Sequence, residues 1–98
     1  MLEEISLLDK VKHAMRIDEE DHDDELGDLI QTAKKLIAEA GVSPLKIIDA
    51  DPLTRKACIL YCKAHFGYDD NRDKFAKSFD NMLVHISLLT SYKDDANE

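Results

Sequence analysis

Asp24-Glu25-Leu26-Gly27-Asp28-Leu29-Ile30-Gln31-Thr32-Ala33-Lys34-Lys35-Leu36-Ile37-Ala38-Glu39-Ala40-Gly41 is the stretch on which the fold turns. Leu26, Leu29, Ile30, Ala33, Leu36, Ile37 and Ala40 recur at three- and four-residue steps, which lays one apolar stripe along a helix. The acids at its start favour the positive end of the helix dipole, and Gly41 supplies a stop. A helix of four to five turns is expected from about Asp24.

Upstream, Ser6 stands as an N-cap before Leu7, Leu8, Val11, Ala14 and Met15, so a short first helix is expected over about Leu7 to Met15. Between the two lies Asp18-Glu19-Glu20-Asp21-His22-Asp23-Asp24-Glu25, seven carboxylates in eight residues. Such crowding would repel within a regular helix but suits a turn that opens one. An EF-hand calcium loop would need alternating acids and a central glycine, and neither is present.

Downstream, residues 42–52 hold both prolines and the apolar Leu45, Ile47 and Ile48, which predicts a connection ordered by packing, with room for a short strand or one helical turn. Asp51-Pro52 opens a third helix from about Leu53 to Phe66. Ala57, Ile59, Leu60, Tyr61, Ala64 and Phe66 wrap most of its circumference, so it should be the buried centre. Gly67-Tyr68-Asp69-Asp70-Asn71 reads as a turn. Phe75, Phe79, Met82, Leu83, Ile86 and Leu89 or Thr90 then trace a stripe on a fourth helix expected from about Arg72 to Tyr92. The predicted core is Leu26, Ile30, Ile37, Leu60, Phe75, Phe79, Met82 and Ile86. The expectation is therefore an all-α single domain of four helices over residues 1–92, with an acidic flexible tail over 93–98.

Composition narrows the function. With 44% hydrophobic and 35% charged residues, the chain is that of a folded domain. A net charge of −8 repels phosphate and disfavours adhesion to nucleic acid or anionic membrane. The opening Met1-Leu2-Glu3-Glu4 has no export-signal pattern, and no apolar run nears the roughly 20 residues of a membrane span. A cytoplasmic setting with reduced Cys58 and Cys62 is expected.

Cys58-x-x-x-Cys62-x-x-His65 supplies at most part of a zinc ligand set, because His13, His22 and His85 stand apart from one another. Small apolar thiols packed in a core are the plainer reading. The serines lack a glycine elbow, and Gly27, Gly41 and Gly67 form no phosphate-cradling loop. No catalytic residue, metal or cofactor is expected. Thr54, Arg55 and Lys56 could open a helix-turn-helix recognition helix, but a mostly buried third helix fits that role poorly.

The segments Ile5-Ser6-Leu7-Leu8-Asp9-Lys10-Val11-Lys12-His13-Ala14-Met15-Arg16-Ile17-Asp18, Asp23-Asp24-Glu25-Leu26 and Ala57-Cys58-Ile59-Leu60-Tyr61-Cys62-Lys63-Ala64-His65-Phe66-Gly67-Tyr68, in that order, resemble the small head-tail connector proteins of long-tailed bacteriophages and prophages. The resemblance implies a subunit of a homo-oligomeric ring that contacts the portal protein and tail-side connector proteins and encloses the DNA channel. It also implies assembly in the host cytoplasm and residence in the virion neck, with DNA met only in passage and no membrane contact. It transfers no contact residue by residue, because the 42–51 connection and the tail differ among relatives. From the residues themselves, the interface is expected at the acidic turn (Asp18, Asp21, Asp23, Asp24), at Ile47 and Ile48, and at Tyr92 and Lys93. A small helical protein-binding regulator and a helix-turn-helix DNA-binding protein are the alternatives.

Overall fold

In the computed structural model, which describes residues 6–66 and 70–93, four α-helices follow one another: α1 (Leu7–Met15), α2 (Asp23–Glu39), α3 (Pro52–His65) and α4 (Arg72–Leu88). Short 3-10 turns occupy Pro44–Lys46 and Thr90–Tyr92. The described residues form no strand beyond one isolated bridge, Val42 to Lys93, so the fold is all-α.

The helix ends follow from local chemistry. Ser6 Oγ accepts the Asp9 N–H at 3.1 Å and starts α1. Arg16 closes it in the left-handed region at φ 61°, with the Arg16 and Ile17 amides returning to the carbonyls of His13 and Lys12. A side chain there costs about 1–2 kcal/mol relative to the right-handed region, yet the bend delivers the chain into the acidic turn. Gly41, at φ 98°, follows α2, and Asp51 Oδ2 caps α3 by accepting the Thr54 N–H at 2.9 Å, with Pro52 in the first turn.

Helix α3 packs on each of the other three helices. Its Ala57, Cys58 and Cys62 are wholly buried, alongside Leu26, Ala33 and Ile37 of α2, Val11 of α1 and Ile86 of α4. Ile30, Leu60 and Phe79 join this core, while Phe75 and Met82 are half-buried and pack against it. Thr54 is buried too; its hydroxyl donates to the Lys46 carbonyl at 2.7 Å, which satisfies a polar group that would otherwise be costly.

The fourth helix is shorter than the sequence predicts. It stops at Leu88, Leu89 is extended (φ −77°, ψ 123°), and a 3-10 turn carries the chain through Tyr92. Leaving the helix lets Tyr92 place its carbonyl on the Ser43 N–H at 2.8 Å, a contact that a straight continuation would forgo. The stretch 42–52 does contain one short helical turn, and it is held on several sides. The opening residues 1–5, most of the 67–71 turn and the tail from Asp94 lie outside the described residues; Lys93 lies within them, bridged to Val42.

Candidate assembly surfaces

At one end of α2 and α3 sits the acidic turn. Asp18, Glu19, Glu20 and Asp21 are exposed, as is Asp24 in the first turn of α2. Asp23 instead reaches Lys12 at 2.7 Å, and that hydrogen bond holds the Lys12 ammonium above its ordinary pKa. His22 sets its ring edge-on against Phe66 at 5.1 Å, so the turn is pinned to the end of α3. Beside it, Ala14, Met15, Arg16, Lys63, Phe66 and Phe75 line an open hollow of about 220 Å³.

At the other end lies the 42–52 connection, tied to the C-terminal turn. Tyr92 donates its hydroxyl to Asp51 Oδ1 at 2.7 Å, and this bond to a carboxylate pushes its pKa up to about 12. Lys46 Nζ lies 5.3 Å over the Tyr92 ring. Lys34 Nζ meets Asp49 Oδ1 at 2.7 Å and keeps that carboxyl below its ordinary pKa. Arg55 donates to the carbonyls of Ala50 (3.1 Å) and Asp49 (3.5 Å), so its guanidinium turns inward onto the loop. With Thr54 buried, the first turn of α3 presents little of the exposed edge a DNA recognition helix requires.

The structure splits the expected interface residues. Ile47 is half-buried against the core, whereas Ile48 is 48% exposed. Tyr92 is half-buried and engaged, and Lys93 is exposed. Asp18, Asp21 and Asp24 share the acidic end, far along α3 from Ile48, Tyr92 and Lys93. Three exposed apolar side chains escaped the sequence reading: Leu45 (82%), Val84 (58%) and Leu88 (69%). Val84 and Leu88, four residues apart on α4, lie off its core stripe, a signal that a helical projection carries. Leu45 sits in a turn too short for any periodicity.

Cys58 and Cys62 are free and buried, and burial pushes both thiols up to about 12. His65 is exposed and lies against Tyr61, ring centroids 4.3 Å apart. Among the described residues, no three His, Cys, Asp or Glu side chains gather in a way that could hold a metal ion, and no helix is long and apolar enough to cross a membrane.

Comparison with curated proteins gives no match, and comparison with solved structures gives none either. The family model described as phage connector protein matches residues 7–93, from the first residue of α1 to the bridge at Lys93. A match that takes in all four helices and the closing turn shows that the chain belongs to the phage connector proteins, structural components of the bacteriophage head-tail junction.

Proposed function

We propose that the protein is the repeating subunit of a ring that sits between the portal and the tail-side connector proteins, with the DNA channel through its centre. The family match over the whole helical unit carries this reading. The exposed Leu45, Ile48, Val84 and Leu88 support it, since large apolar side chains left in water gain by burial against neighbours. The net charge of −8 fits a channel through which DNA slides without adhering. The work is packing and positioning, with no catalytic step and no cofactor. Subunits assemble in the host cytoplasm and end in the virion neck.

Size-exclusion chromatography with light scattering tests the reading. The expected result is a species of many subunits that grows with protein concentration, or forms on addition of purified portal. A chain that stays monomeric throughout and binds neither portal nor tail-side connector overturns it, and favours the monomeric regulator.

A further inference from the structure

Residues 88–93 contain no proline or glycine to stop α4, and Leu89 continues the stripe of Phe75, Phe79, Met82 and Ile86 at its next step. The backbone nevertheless leaves the helix at Leu89, which is extended, and the bonds that draw it out come from the 42–51 connection. The Ser43 N–H donates to the Tyr92 carbonyl, Val42 bridges Lys93, the Tyr92 hydroxyl donates to Asp51, and Lys46 lies over the Tyr92 ring. Leu89 is thus a hinge between a helix and a strap.

The same contacts can form between two chains. If α4 runs on through Tyr92, it gains the i to i−4 bonds that the bend forgoes, and the connection of a second copy offers the strap an identical surface. Exposed apolar side chains flank both halves: Val84 and Leu88 precede the hinge, while Leu45 and Ile48 lie in the connection. A joint between copies would bring them together.

We infer that the strap is exchanged: residues 90–93 of one copy leave their own 42–51 connection and dock on that of the next. This inference rests on the ring reading and names the contact that repeats around it. Each copy gives one surface and receives on another, so the exchange runs head to tail until the rotation closes. In the single chain, the strap covers its own docking site and holds the subunit back from joining.

Disulfide locking tests it on the full chain. Residues directly opposite in an antiparallel pair have Cα atoms about 4.5–5.5 Å apart, inside the span of a disulfide, and the native thiols are buried. The Val42→Cys, Lys93→Cys double variant, oxidised at high dilution, should become a locked monomer that forms no multi-subunit species until it is reduced. An equal mixture of the two single variants, oxidised where wild type assembles alone or with purified portal, should give a covalent heterodimer. Thr90→Pro supplies a lock without thiols. Proline fits the start of a 3-10 turn after an extended residue, but in a continued helix its ring would meet the Ile86 carbonyl. This variant should melt as wild type does and fail to assemble. A locked or Thr90→Pro chain that assembles like wild type, or a mixture that yields no heterodimer, overturns the exchange and leaves the ring reading standing. A wild-type chain that never associates with itself or with portal removes both.

Discussion

The Tyr92 hydroxyl lies 2.7 Å from Asp51 Oδ1, so one carboxylate both caps α3 and fastens the C-terminal turn. Tyr92→Phe should leave the cap intact and remove the fastening, at a cost of about 1 kcal/mol. Because the folded pKa of Tyr92 is raised to about 12 from an ordinary 10.0, its contribution is complete below pH 10 and fades as pH climbs toward 12. The two raised thiols also erode stability in alkali, so the quantity to measure is the difference between wild type and Tyr92→Phe in urea melts from pH 8 to 11. A gap that does not narrow above pH 10 contradicts the assignment.

Asp49 behaves in the opposite sense. Lys34 lowers its pKa below 3.8, so the stabilisation is present above that value and lost as pH falls through the folded pKa. Both partners are partly exposed, which limits the pair to about 0.5 kcal/mol. A double-mutant cycle with Asp49→Asn and Lys34→Met should return that coupling at pH 7 and a smaller one as pH is lowered through the folded pKa of Asp49.

Phe79 is 3% exposed and meets Tyr61 edge-on at 4.9 Å. Phe79→Ala should cost about 3–5 kcal/mol, enough to lower the melting temperature by well over 10 °C in a domain of this size. Val84→Ala, on the exposed face of the same helix, should change stability by less than about 0.5 kcal/mol. Equal losses from the two variants would show that α4 is turned the other way.

Cys58 and Cys62 should resist thiol reagents in the folded protein at pH 8, because burial hides the sulfurs and keeps them protonated. In urea both should react at once. Rapid labelling without denaturant would place one thiol at the surface and revise the packing of α3.

Periodicity made the helices legible. The stripe through Leu26, Ile30 and Ile37 and the caps at Ser6 and Asp51 are local signals, and the helix starts fall within a residue of where they point. The end of α4 was not legible, because what draws the chain out of the helix is a partner 49 residues away, the Ser43 amide. The candidate surfaces were harder still. Nothing in the order of Pro44, Leu45, Lys46, Ile47 and Ile48 says which side chains turn inward, since a 3-10 turn has no repeating face to read. Thr54 and Lys46 settle it, through one hydroxyl and one carbonyl.

The bridge between Val42 and Lys93 and the bond from Ser43 to Tyr92 join the middle of the chain to its far reaches. Contacts that span about fifty residues form only once the helices between them have packed, so the turn that presents Leu45 should be among the last parts of the chain to set during folding.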